Sequence, residues 1–218
     1  FYSGGKDSTA LLHLARTVDP GIGAVFVDDG NQTPWTLEAI AAMRARGYDI
    51  QTIETMYTIP QMLRMVGWGG YDGPERLEGE WHWSMPQWRE VLVEEPSERV
   101  RDAGYTVHLL GLRAEESRGR LMNRRAHGVI YERDNGTIVA TPLADWSGED
   151  VLAYCALHEL PLSRVYLRPD DPGRARRRSA AALLTHAVWA GSWHELRADQ
   201  PGFWQELAME FPEIRRES

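Results

Sequence analysis

The 218-residue chain predicts an α/β fold, a doubly wound parallel sheet with a helical C-terminal extension. Three observations predict it. Strand-length and helix-length segments alternate through the first half. Ile22 to Val27 is an almost continuous apolar run, as expected of a parallel strand covered on both faces. A glycine turn, Ser3-Gly4-Gly5, leads from a strand end straight into a helix. With 43% hydrophobic and 26% charged residues, the composition supports a packed core and excludes general disorder.

In chain order, Phe1-Tyr2 reads as the end of a strand whose earlier residues lie upstream. Ser8 to Arg16 reads as a helix with Leu11, Leu12, Leu14 and Ala15 inward. Asp19-Pro20-Gly21 turns the chain into the Ile22–Val27 strand. After the Asp28-Asp29-Gly30-Asn31 loop, Thr36 is expected to cap a helix ended by Gly47. Asp49 to Glu54 alternates as a strand does, and Ile59 to Val66 is amphipathic. The stretch 67–87, with Gly67, Gly69, Gly70, Gly73, Gly79, Trp68, Trp81 and Trp83, interrupts the rhythm and reads as a long loop or lid. A helix over 87–103 and a strand over 106–112 follow. Arg118 onward forms an Arg-rich helix, then a hairpin turns at Asp134-Asn135-Gly136. Ser147 caps a helix to about His158, with Glu149 and Asp150 in its first turn. The division is an α/β unit over 1–166, carrying the 67–87 insertion, and an Arg-rich, helical extension over 167–218.

The net charge of −8 argues against a generic nucleic-acid coat but leaves room for a local basic site. Of the 24 basic residues only Lys6 is lysine. It stands in Ser3-Gly4-Gly5-Lys6-Asp7-Ser8, where a compact ammonium offers what a planar guanidinium does not. A strand end, two glycines and an immediate helix start place unpaired backbone N–H groups around a concavity suited to phosphate. Ser3 and Ser8 add hydroxyls, and Asp7 can hold a metal ion or orient the loop. The spacing is too short for Gly-x-x-x-x-Gly-Lys-Ser/Thr.

Ser-Gly-Gly-Lys-Asp-Ser resembles the pyrophosphate loop (PP-loop) of the adenine-nucleotide alpha-hydrolase, or ATP pyrophosphatase, superfamily, with its Rossmann-like sheet. Gly111-Leu112-Arg113-Ala114-Glu115-Glu116-Ser117-Arg118-Gly119-Arg120 is similar to the Gly-x-Arg-x-x-Glu-Ser-x-x-Arg of the phosphoadenosine phosphosulfate (PAPS) reductase-like family. Pro142-Leu143-Ala144-Asp145-Trp146-Ser147-Gly148-Glu149-Asp150-Val151, with Tyr154 and Leu160-Pro161, resembles a later stretch of the same family. The resemblance implies that Ser3, Gly4, Gly5, Lys6, Asp7 and Ser8 grip terminal phosphates. It places adenosine contacts at Asp28 and Asp29, with Gly30 permitting the turn. Gly111, Arg113, Glu116, Ser117 and Arg120 would face the same crevice, at the strands' C-terminal ends.

Adenylyl transfer asks the protein to neutralise a leaving pyrophosphate and hold an acceptor in line. Lys6, Asp7, Arg113 and Arg120 are the candidate catalytic residues. Mg²⁺ accompanies the nucleotide, with Asp7 as its candidate ligand, and Glu116 orients Arg113 or Arg120. Trp146 and Asp150 read as architecture. Arg164, Arg168, Arg174 and Arg176 to Arg178 form a basic stretch, either solvated or gripping a phosphate. The histidines lack metal-ligand spacing, and one cysteine makes neither a zinc site nor an iron–sulfur cluster. The thiol nucleophile expected of a reductase is also missing, since Cys155 sits mid-helix as a small buried hydrophobe.

Three readings follow. The preferred one is an enzyme that takes ATP, adenylylates an unknown acceptor and releases pyrophosphate, in sulfur transfer or thio-modification, with a sulfur-donor protein or a nucleic-acid substrate as partner. The second acts on the phosphosulfate nucleotide with a thiol supplied elsewhere. The third is a non-catalytic nucleotide-binding subunit. The expected setting is a reducing cytoplasm, without membrane contact, as a homodimer. No segment approaches the roughly 18 apolar residues of a membrane span.

Overall fold

The computed structural model describes residues 1–66, 87, 89–167, 175, 192–212 and 214–217. The stretch 67–86 and Arg168, Arg174 and Arg176 to Arg178 lie outside them, so the expectations of a lid and a basic grip do too. The chain divides into two compact units. Among the described residues the first comprises 1–27, 35–53, 97–167 and 175, and the second 28–34, 54–66, 87, 89–96, 192–212 and 214–217.

The first unit carries the sheet elements. β1 (Ala24–Asp28) neighbours β2 (Ile50–Glu54). The Ala24 N–H donates to Asp49 O at one end of the pair, and the Thr55 N–H donates to Asp28 O at the other. The two strands therefore run parallel. β3 (Val107–Leu109), β4 (Ile130–Glu132) and β5 (Ile138–Ala140) form a second ladder in the order β3-β5-β4. β3 and β5 are parallel, with Val107 opposite Ile138, and the β4–β5 hairpin is antiparallel. Phe1 and Tyr2 link the two ladders: the Tyr2 N–H donates to Val25 O at 2.8 Å, and the Phe1 amine to Leu109 O at 3.4 Å. The α/β class with parallel strands agrees with the sequence.

Helices cover these strands through apolar stripes. α1 (Lys6–Val18) turns Leu12 toward Tyr2, Phe26, Ile40 and Met43. Its Ala10 and Leu11 pack instead on Leu143, Val151 and Cys155, the last two from α6 (Gly148–Leu157). Each such buried Leu, Ile or Val is worth roughly 1.5–3 kcal/mol. α2 (Pro34–Ala45) starts three residues earlier than a cap at Thr36 would set it. Pro34 occupies its first position, where a missing N–H costs nothing, and Thr36, predicted as the cap, lies fully buried inside the helix.

α3 (Ile59–Val66) belongs to the second unit, where Ile59, Met62 and Leu63 pack with Val91, Leu196, Leu207, Phe211 and Ile214. The helix expected over 87–103 contains a π-helical stretch, Glu90–Glu94, before α4 (Glu95–Asp102). Pro96 has no N–H to return to the preceding turn, and the Glu95 N–H bonds Glu90 O, five residues back. α5 (Arg118–His127) follows a 3₁₀ turn, Ala114–Glu116. α7 (Ser192–Asp199), α8 (Pro201–Glu210) and α9 (Ile214–Glu217) form the C-terminal helices.

Candidate phosphate-binding site

Gly4 makes the turn into α1 at φ +72, a backbone that L side chains rarely adopt. A Cβ there would come within 2.8 Å of Thr36 Cγ2 and 3.0 Å of Ile40 Cγ1. Gly5 is the N-cap and supplies no side-chain acceptor, while the first helical bond in the turn is Thr9 N–H to Gly5 O. The helix thus starts without a side-chain cap, the arrangement that leaves donors for an anion. Ser8 Oγ donates to Gly5 O at 2.9 Å and accepts from the Ser3 N–H at 3.2 Å, closing the loop on itself.

Lys6 is 1% exposed, and its ammonium donates to Asp7 Oδ2 at 2.7 Å. Burial pulls its pKa below the ordinary lysine value; Asp7 opposes this and the Arg113 guanidinium reinforces it. The Tyr166 ring, from the 3₁₀ turn Arg164–Tyr166, lies 5.5 Å from the Lys6 nitrogen. Asp7 Oδ1 accepts from Arg113 Nε at 2.5 Å.

Arg113, also 1% exposed, is the hub. Besides Asp7 it pairs with Glu115 and, at 3.7 Å, with Glu116, which in turn pairs with Arg120. Glu115 also accepts from the Gly148 N–H at 2.7 Å, tying the hub to the first turn of α6. The result is an alternating series, Lys6–Asp7–Arg113–Glu116–Arg120, running from the phosphate loop to α5. Buried charges of this kind are tolerated only when paired throughout. Ser117 Oγ accepts from the Arg120 N–H and caps α5.

Gly111 has a packing role. A Cβ there would lie 3.1–3.3 Å from backbone atoms of Asp7 and Ser8, so the segment just after β3 docks directly on the first turn of α1. The predicted residues Ser3 to Ser8, Gly111, Arg113, Glu116, Ser117 and Arg120 all belong to the first unit. Asp28, Asp29 and Gly30 belong to the second. There, Asp28 Oδ1 accepts from the Gly30 N–H, and Asp29 Oδ1 from the Asn31 N–H and Gln32 Nε2. Burial pushes the Asp29 carboxyl up to about 6.

Each oxygen of Asp7, the candidate Mg²⁺ ligand, accepts from a cation, Oδ2 from Lys6 and Oδ1 from Arg113. Among the described residues no group of three or more His, Cys, Asp or Glu is placed to hold a metal. None of their helices is long and apolar enough to cross a membrane. Cys155 is buried, its Sγ 3.7 Å from Lys6 O, and burial pushes its thiol up to about 12. Trp146 packs in the core with Leu14 and Tyr154, and Asp150 completes the Ser147 capping box. A cavity of about 410 Å³ runs along α1 from Ser8 to Ala15, with Tyr2, Ile22, Val100 and Val107 on its other walls. Of the predicted site residues only Ser8 touches it.

Sequence reasoning assigned no role to Glu115 or to Tyr166. Glu115 stood inside a recognised motif; Tyr166 lies 160 residues from the lysine it covers, and no local signal pointed to it.

The sequence profile of the phosphoadenosine phosphosulfate reductase domain matches residues 1–169. The chain belongs to this family. Within the PAPS reductase domain family, it is 25% identical over 161 residues to the phosphoadenosine 5'-phosphosulfate reductase of Alkalilimnicola ehrlichii, covering 72% of this chain and 60% of that protein. It is 28% identical over 167 residues to the adenosine 5'-phosphosulfate reductase of Bacillus mycoides, covering 74% and 64%. The chain therefore spans less than two thirds of these relatives' length. In fold it is similar to the phosphoadenylyl-sulfate reductase of Candida auris, with a TM-score of 0.54 over 75% of each chain at 18% identity.

Proposed function

We propose that the protein is an ATP pyrophosphatase-type enzyme of the PAPS reductase-like family. It binds ATP, transfers the adenylyl group to an acceptor and releases pyrophosphate, in sulfur transfer or thio-modification. The acceptor's nucleophilic atom attacks the α-phosphorus, and the bond to the pyrophosphate oxygen breaks. The observation that carries this reading is the uncapped start of α1 with the buried Lys6 ammonium beside it. Together they supply fixed positive potential where the leaving group's charge develops. Arg113, enclosed by carboxylates, holds the loop against α5 and α6, while Arg120, 30% exposed, remains the guanidinium nearer solvent.

A thiolate mechanism lacks support within these residues. The single thiol is buried with a pKa near 12, whereas nucleophilic cysteines have lowered values. A second reading, action on a phosphosulfate nucleotide with a thiol from elsewhere, is favoured by the names of the relatives. A sulfur-donor protein or a nucleic acid would be the partner in the first reading.

The test is pyrophosphate release and AMP formation from ATP with Mg²⁺ across candidate acceptors, with Lys6→Ala as control. The reading expects turnover that the variant loses; equal turnover in both proteins would remove the loop from the chemistry. Titration with ATP against the phosphosulfate nucleotide separates the two enzyme readings.

A further inference from the structure

We propose that Tyr166 is a positioning residue for Lys6: its ring face holds the ammonium in place for the phosphates without adding negative charge. The proposal rests on the reading that the loop binds terminal phosphates.

A buried ammonium is costly unless its lost hydration is replaced. Lys6 is 1% exposed and so has lost nearly all of its water. An ammonium has three donors, and Asp7 Oδ2 accepts one. A second carboxylate would hold the nitrogen more strongly but would cancel its charge and repel an incoming phosphate. An aromatic face attracts a cation through its quadrupole, carries no net charge and does not compete with an anionic ligand. The Tyr166 ring, itself 3% exposed, lies 5.5 Å from the nitrogen, within the range of that attraction.

The main chain that carries the ring is anchored in the interior. The Tyr166 N–H donates to Ser163 O at 3.0 Å, and Ser163 is itself buried at 2% exposure. On the carboxylate side, Asp7 is anchored by Arg113. Lys6 is thus held between two fixed partners. One is anionic and already shared with a guanidinium; the other is neutral.

The experiment measures ATP and AMP affinity for the wild type, Lys6→Ala, Tyr166→Phe and Tyr166→Leu. ATP carries the terminal phosphates that AMP lacks, so the affinity ratio reports on Lys6. Tyr166→Phe should keep the wild-type ratio, and Tyr166→Leu should lower it about 2- to 30-fold. A merely structural role would weaken both nucleotides alike. Phenylalanines bearing increasing numbers of ring fluorines, installed at position 166, keep the shape while withdrawing the negative face. The ratio should fall stepwise along that series even if Tyr166→Leu does not fold. A ratio unmoved by fluorination, while Lys6→Ala abolishes it, overturns the role of Tyr166 and leaves the phosphate reading standing. A ratio the same in wild type and Lys6→Ala overturns both.

Discussion

Two glycines with nearly the same backbone isolate what the phosphate loop costs to disturb. Gly4 has φ +72 and Gly136 has φ +77. Alanine at either pays about 1–2 kcal/mol for a left-handed backbone. At Gly136, in the β4–β5 turn, the added methyl meets nothing within 4 Å. At Gly4 it would meet Thr36 Cγ2 at 2.8 Å and Ile40 Cγ1 at 3.0 Å, both from side chains with no more than 2% exposure. Such overpacking adds about 1–3 kcal/mol. Gly4→Ala is therefore expected to cost about 2–5 kcal/mol and Gly136→Ala about 1–2. At about 2–4 °C per kcal/mol for a chain of this size, Gly4→Ala should melt about 2–12 °C below Gly136→Ala. The assay is thermal unfolding of the two variants side by side, with ATP affinity measured on each. Gly136→Ala should retain the wild-type affinity, and Gly4→Ala should lose it. Equal melting points, or a milder effect at Gly4, would refute the claim that the loop is seated against α2.

Two further outcomes follow from the titrating groups. Asp29, pushed up to about 6 from its ordinary 3.8, binds more protons folded than unfolded across that interval. Its contribution, about 2–3 kcal/mol, is thus complete below about pH 4 and lost as pH rises through 6. Asp29→Asn mimics the protonated carboxyl, so urea unfolding at several pH values should show wild type close to the variant below about pH 4 and losing stability relative to it as pH rises through 6; a constant difference would remove the effect. Cys155, with its thiol near 12, should resist an aromatic disulfide reagent at pH 8 in the folded protein and react on unfolding. Rapid reaction in the native state would restore it as a candidate nucleophile.

The legible parts of this chain were those whose signals are local. The glycine turn into α1, the Ser147 capping box and the hairpin turn at Gly136 are each written within a few residues, and their geometry follows from glycine conformation and capping chemistry. Local signals erred where one element answers to another. Thr36 has the chemistry of a cap, but Pro34 starts the helix, and the packing against Gly4 uses Thr36 as a buried wall. Arg113 and Arg120 read as forks for a ligand. The fold instead fills the Arg113 guanidinium with carboxylates, one of them 106 residues away in sequence. Neither that distance nor the Tyr166 ring leaves a trace in spacing, because both depend on how strands and turns come together.

Lys6 is the only lysine in the 218 residues, and it is sealed against solvent. Protein grown on lysine labelled with ¹⁵N at the ε-amine should therefore give a single side-chain resonance from this sequence, protected from fast exchange. Occupancy, protonation and ring-current shift at the loop can then be followed from one peak, without assigning the rest of the spectrum.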